Sequence, residues 1–253
     1  MYVDHDLSMI LARARHVHAA AFDEIDAAVR SLLDEAKLGR TVLFNAHAAP
    51  ALVPPDAIVF NLENVDLQIS SLAFPRNAIW DFSQRNVDAW RAARPDGPPV
   101  HHVPIGHHPS MEKFEPRRWT ERDIDVVFTG AVNERRKAIF DRLRALGLRV
   151  ETVSAPYGQQ RDAVLSRARL AIAPVYYPNG LFSTLRAAHC VANRLVLVAE
   201  EAFEVPAWMY PTPCRYDCLV MQVASLLAGG ERAVSAVAEE AYQRFYASPL
   251  RLP

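Results

Sequence analysis

Two Rossmann-like, doubly wound α/β domains in tandem, facing across a cleft, are what this sequence predicts, and three observations carry that expectation. Short apolar runs alternate with segments of helical periodicity along the chain. The runs are continuous rather than polar at every second residue, which marks strands buried on both faces of a parallel sheet. The alternation breaks in a stretch rich in Pro and His and then restarts.

Residues 8–14 read as a strand or as a helix. Residues 19–38 form a clearer helix, because Phe22, Ile25, Ala28, Val29, Leu32, Leu33 and Ala36 recur at helical spacing and Gly39 stands where a helix stops. Strands are predicted at 41–45, 57–62, 78–82 and 100–105. Ser83 is placed to cap a helix over 84–93. Residues 94–99 hold three prolines and a glycine, and 106–116 carry paired histidines and two more prolines. After that junction the spacing predicts strand 126–128, helix 135–146 stopped by Gly147, strand 149–153, helix 159–167, strand 170–174, helix 184–192, strand 195–199 and a last helix at 231–246. The domains are therefore drawn at 1–105 and 106–230, meeting near 103–122, with 231–253 a terminal helix that packs back toward the N-terminal domain.

The 253 residues are 51% hydrophobic and 23% charged, which suits a packed core and not disorder. The formal net charge of -1 gives no single-sign field, so nucleic acid is not an expected partner. No run approaches the about 20 apolar residues that a membrane span needs. Three cysteines, Cys190, Cys214 and Cys218, make no disulfide framework and suggest a reducing, cytoplasmic setting. Cys214 and Cys218 stand one helical turn apart without a second ligand pair at zinc spacing.

The stretch from Asp123 to Arg136 carries the most chemistry. An apolar run, Val126 to Phe128, ends at Gly130, and Asn133, Arg135 and Arg136 open a helix. Ligands of open α/β sheets bind at the carboxyl ends of strands, beside helix N-termini. Gly130 would let a ligand approach the backbone, and Arg135 and Arg136 have the fork that grips an anion such as a pyrophosphate. A plain strand-to-helix turn with two solvated arginines fits the same residues. Asp123 and Asp125 read as the solvated start of the strand.

The order of short motifs resembles the bacterial GT-B-fold glycosyltransferases, in a compact form. The C-terminal half carries Asp125, Phe128, Gly130, Asn133, Arg135 and Arg136, then a loop with Tyr176 and Tyr177, a helix with Phe182 and Arg186, and a strand running to Glu200. The N-terminal half carries Asn61-Leu62-Glu63 and Trp80-Asp81-Phe82-Ser83-Gln84-Arg85-Asn86. The resemblance spans about residues 16–246. Two departures stand out. Ser183 takes the place of an acidic residue that in related transferases holds donor-sugar hydroxyls. Ala173-Pro174-Val175 stands where an Asn and a His are usual.

The resemblance implies sugar transfer from a nucleotide-diphosphate sugar to an acceptor of unidentified class, with no metal and no further cofactor. Gly130, Asn133, Arg135, Arg136, Tyr176, Arg186 and Glu200 are the candidate donor-binding residues. Arginines and helix N-termini would offset the charge growing on the leaving diphosphate. Arg186 reads equally as a salt-bridge residue and Asn133 as a helix cap. Tyr176 would stack on the base or simply pack, and Glu200 would bind a ribose hydroxyl or form a solvated pair with Glu201. His18, Glu63 and Asp81 are the candidate catalytic bases for an inverting transfer. A binding or scaffold protein of the same shape, without transfer, is the alternative that Ser183 favours.

Other classes lack their signatures. There is no Gly-x-Ser-x-Gly, no Gly-x-x-x-x-Gly-Lys and no Gly-x-Gly-x-x-Gly after a strand. His101, His102, His107 and His108 suggest metal ligands, but neighbours on a strand point to opposite faces. His107 or His108 would also suit a donor contact at the domain junction.

Overall fold

The computed structural model describes residues 23–35, 41–44, 46, 50, 53–63, 65, 74–154, 158–178, 180–209 and 213–253. They build two parallel four-stranded sheets, and the chain divides into two compact units, Met1–Ile105 with Leu250–Pro253, and Gly106–Pro249. Residues 8–14, and His18 with them, lie outside the described residues.

In the first unit helix α1 (Asp23–Glu35) is followed by β1 (Val42–Phe44), β2 (Ile58–Asn61) and β3 (Ala78–Asp81), then α2 (Gln84–Ala93) and β4 (Val100–His102). The strands lie in sequence order and all run parallel. Every residue of β2 and β3 is buried, as their unbroken apolar runs require. In the register of these two strands Asn61 stands opposite Asp81, so two polar side chains end adjacent strands side by side. Ser83 caps α2 as expected, its hydroxyl accepting from the Asn86 N–H at 3.1 Å. Val59, Phe74, Ile79, Val87, Trp90 and Val100 form the core. A buried aromatic of this size contributes on the order of 2–3 kcal/mol by burial. β4 stops at His102, short of the expected 105, because Pro104 has no N–H to donate.

The second unit runs β5 (Ile124–Thr129), α3 (Glu134–Ala145), β6 (Val150–Val153), α4 (Gly158–Leu165), β7 (Ala168–Ala173), α5 (Thr184–Ala192), β8 (Leu197–Ala199), α6 (Leu219–Ala228) and α7 (Gly230–Tyr246). Its sheet order is β6-β5-β7-β8, all parallel. Gly147, at φ 80°, takes the left-handed backbone that ends α3. One apolar cluster joins β5, β7 and β8 to α3, α6 and α7, with Phe128, Phe140, Ile172, Leu219 and Val223 among its buried members.

Three expectations are revised here. α6 was not expected at all. α7 groups with the second unit, against α5 and α6, where the sequence reading had it packing toward the N-terminal domain. Asp125 is not a solvated strand start. It is 6% exposed and accepts from Arg149 N (2.9 Å), Nε (3.0 Å) and Nη2 (2.9 Å) and from Arg169 Nη1 (2.7 Å), pinning the amino end of the sheet. These contacts hold its carboxyl below the usual range against the burial that would raise it.

The chain enters and leaves the second unit at one place. The His107 N–H donates to Ser248 O at 2.7 Å, and His107 bridges Pro249 in parallel. The His107 ring is buried among Tyr242, Phe245 and Tyr246, with Nε2 2.9 Å from Glu112 Oε1. Asn193, just past α5, fastens the incoming segment by accepting from Lys113 N (2.6 Å) and Phe114 N (2.8 Å) and donating to Met111 O (3.0 Å).

Candidate functional site

The carboxyl ends of β5, β7 and β8 in the second unit gather most of the residues singled out for donor binding. β5 ends at Thr129, and Gly130 follows at φ 135°, a conformation that side chains rarely adopt. A Cβ at Gly130 would stand 3.1 Å from Arg186 Nη2 and 3.4 Å from the Phe128 ring. Arg186 thus comes from the first turn of α5 to lie beside the Gly130 backbone.

Asn133 caps α3, its Oδ1 accepting from Arg136 N at 3.0 Å, and its Nδ2 donates to Tyr176 O at 3.0 Å. The cap also ties the β7–α5 loop to the start of α3. Arg136 is 5% exposed. Its Nε donates to Pro174 O at 2.9 Å and its Nη1 to Ala131 O at 2.7 Å, so the buried guanidinium is held by two carbonyls. The rings of Phe128 and Tyr176 lie 4.9 and 5.1 Å from its centre, and Phe128 also lies 5.2 Å from that of Arg186. Burial, and then the neighbouring Arg186 charge, push Arg136 down to about 10. Two like charges this close, one of them buried, favour an anion between or beside them.

Arg135 has a different employment. Its Nη1 donates to Glu200 Oε2 at 2.6 Å, its Nη2 donates to Glu200 Oε1, and Val175 N adds a bond to Oε2 at 3.0 Å. The guanidinium lies 3.9 Å over the Tyr216 ring, and the Tyr216 hydroxyl donates to Arg135 O at 2.7 Å. The hydrogen bonds from Glu200 are the main cause that raises Arg135. Neither solvated reading survives: Arg136 is buried, and Glu200 is 6% exposed and paired with Arg135 rather than with Glu201. An open depression of about 400 Å³ lies next to this pair, lined by Glu200, Glu201, Arg215, Tyr216 and Asp217.

Ser183 precedes α5 and makes no capping bond. Its hydroxyl instead accepts from Arg186 Nη1 at 3.0 Å. Tyr176 and Tyr177 are exposed and meet edge to face at 4.7 Å. The sequence reading missed Tyr216 and the Ser183–Arg186 contact. No spacing rule links Tyr216 to Arg135, 81 residues away.

In the first unit Asp81 is enclosed, 0% exposed. Its Oδ2 accepts from Asn61 Nδ2 (2.7 Å) and Trp90 Nε1 (3.1 Å), and its Oδ1 from Ser83 N (3.0 Å) and Asn86 Nδ2 (3.1 Å). Burial pushes this carboxyl up to about 7, and the four donors pull the other way. A group shut away behind four donors is poorly placed to take a proton from an incoming hydroxyl, which counts against Asp81 as the base. Glu63, two residues beyond β2, is exposed. His18 lies outside the described residues.

The four histidines diverge. His102 Nε2 meets Phe82 O at 3.1 Å, His107 meets Glu112, and His108 Nδ1 accepts from Ser110 N at 3.2 Å. Among the described residues no group of three or more His, Cys, Asp or Glu is gathered as a metal would need. Cys214 and Cys218 are free and half-buried, and burial lifts the Cys214 thiol to about 11. Among the described residues no helix is long and apolar enough to cross a membrane.

No protein-family model matches the chain. The uncharacterized protein L138 of Acanthamoeba polyphaga mimivirus is 25% identical over 139 residues, which is 50% of this chain and 16% of that protein. Among solved structures, TarM superposes with a TM-score of 0.53 at 10% identity, covering 76% of this chain and 47% of TarM. Sucrose-phosphate synthase from Thermosynechococcus elongatus superposes with a TM-score of 0.51 at 13% identity, covering 76% of this chain and 63% of the synthase. The chain spans less than two thirds of each of these proteins. Both solved proteins are GT-B glycosyltransferases, and this chain shares their α/β fold.

Proposed function

We propose that the chain transfers a sugar from a nucleotide-diphosphate sugar to an acceptor hydroxyl. The observation that carries this reading is the pair Arg136 and Arg186, held against one face of Phe128 beside the Gly130 backbone. Fixed cations at strand ends suit a diphosphate, whose charge grows as it leaves. In the transfer the acceptor oxygen bonds to the anomeric carbon. The bond from that carbon to the β-phosphate oxygen breaks, and the diphosphate departs with the electron pair. The acceptor proton passes to a base, for which exposed Glu63 is the best placed of the described candidates. Arg136 and Arg186 would take the part that a metal plays in other transferases. Arg135 serves by fixing Glu200 at the edge of the depression, where the carboxylate would meet the nucleoside.

A second reading rests on Ser183. Its hydroxyl engages Arg186 where a carboxylate on this helix would hold the donor sugar. A protein that binds the nucleotide without transfer would keep the arginines and lose that group. The test is thermal stabilisation by UDP-glucose, UDP-N-acetylglucosamine and GDP-mannose, followed by donor hydrolysis with and without excess chelator. Stabilisation with chelator-resistant turnover supports the transferase. Stabilisation without turnover supports the second reading, and activity abolished by chelator and restored by manganese overturns the metal-free chemistry.

A further inference from the structure

The polar cluster at the carboxyl ends of β2 and β3 converges on one backbone atom, the carbonyl oxygen of Glu63. Asn61 Nδ2 donates to it at 2.8 Å and Asn86 Nδ2 at 2.9 Å. The same two amide groups donate to the two oxygens of Asp81, at 2.7 and 3.1 Å. Asp81 therefore orients both amides, and both amides grip one carbonyl. The cluster is further locked from α2, where Ser83 N and Trp90 Nε1 donate to the same carboxylate. Asn86 Oδ1 accepts from Val65 N at 3.4 Å, so the chain is held on both sides of residue 64. Asn61, Asp81 and Asn86 are buried and Glu63 is exposed.

A buried carboxylate is an expensive way to staple a strand end, since apolar packing would do as well. Here it fixes the backbone of one surface residue whose side chain is a carboxylate. We propose that Asn61, Asp81 and Asn86 are positioning residues for Glu63, and that Glu63 is the group by which the first unit engages the acceptor hydroxyl. This rests on the transferase reading above. The motif residues Asn61, Glu63, Trp80, Asp81, Ser83 and Asn86 thereby form one device, in which Trp80 packs the strand and the others build or carry the clamp.

The test compares Glu63→Gln, Asn86→Ala and Asn77→Ala in the full chain, with hydrolysis of the three nucleotide sugars named above as the readout. Asn77 is the control. It is also buried and also donates to two backbone carbonyls, Pro54 O at 2.7 Å and Ala57 O at 2.9 Å, but it precedes β3 at the other end of the sheet. Glu63→Gln is expected to lower kcat about 100-fold or more, on the scale of a lost general base. Asn86→Ala is expected to lower kcat about tenfold with donor KM unchanged, because a misplaced group loses rate and not donor affinity. Amide hydrogen exchange at residues 62–65 should quicken in Asn86→Ala and not in Asn77→Ala. Loss in Glu63→Gln with wild-type kcat in Asn86→Ala overturns the clamp alone. Unchanged kcat in Glu63→Gln overturns the clamp and this role for Glu63, and leaves the transferase reading standing. Equal loss in Asn86→Ala and Asn77→Ala reduces the clamp to fold stability and overturns it. No turnover of any donor by the unaltered protein overturns both readings.

Discussion

Arg135 and Glu200, 65 residues apart in sequence, close on each other in a two-point ion pair that joins the start of α3 to the end of β8. The guanidinium face rests on Tyr216 and one carboxylate oxygen also accepts from Val175 N. The pair is mostly buried, with side-chain exposures of 22% and 7%. Arg135→Ala would leave Glu200 enclosed with one remaining donor. The expected loss is about 2–3 kcal/mol of stability in the second unit, at the lower side of what breaking a buried pair costs because Arg135 is partly solvated. Urea unfolding followed by Trp119 and Trp208 fluorescence measures it, and an unshifted midpoint would show that the pair holds nothing together.

Gly130→Ala is a test of the arginine site by shape alone. The new methyl would arrive 3.1 Å from Arg186 Nη2 on a backbone at φ 135°. The guanidinium can swing away, so the variant is expected to fold, at about 1–3 kcal/mol of strain. Binding of UDP, measured by calorimetry, should weaken because Arg186 has been moved from its place. Retained affinity would mean that the anion does not sit beside Gly130.

Arg186→Ala removes the cation directly. A hydrogen bond to a charged group contributes about 1.5–3 kcal/mol, so UDP affinity is expected to fall by roughly 10–150-fold. Ser183→Ala removes only the hydroxyl that accepts from Arg186 and should change affinity far less. If both variants bind UDP as the parent does, Arg186 is a structural residue only.

Asp81 predicts a pH dependence. Burial raises its carboxyl from 3.8 to about 7 in the folded chain. Between these values the folded chain keeps a proton that the unfolded chain has released. Stability therefore falls as pH rises from about 4 to about 7 and levels above that, by on the order of 4 kcal/mol for this group. Urea unfolding at half-unit pH steps should show the decline in the parent and a flatter profile in Asp81→Asn. That variant should also be less stable above pH 7, because an amide nitrogen would confront donors that the carboxylate now accepts from. A parent profile that rises through this window would overturn the assignment.

Strands and most helices were legible because burial on both faces writes unbroken apolar runs, and caps such as Ser83, Asn133 and Gly147 mark the ends. α6 was not legible. Its residues, Leu219 to Ala228, are apolar almost all round and follow a cysteine with no capping bond, so neither periodicity nor a start signal announces it. The arginines were found, but their division of labour was not. Arg135 differs from Arg136 only through partners 40 and 65 residues away, Val175 and Glu200, and such pairing leaves no local pattern. Asp125 was misread for the same reason, since Arg149 and Arg169 reach it from 24 and 44 residues off. Asn61 and Asn86 stood inside quoted motifs, yet only the register of β2 against β3 shows what they share.

The bond from His107 N to Ser248 O has a consequence for how this molecule could have been put together. A segment whose first and last residues are already hydrogen-bonded neighbours behaves as a cassette. It can be spliced into a host loop, or removed from one, while the host's severed ends need to span only the width of one backbone hydrogen bond. Its own ends could equally be sealed and new ones opened at an exposed turn, giving a circular permutant with the same sheet order and the same arginine cluster.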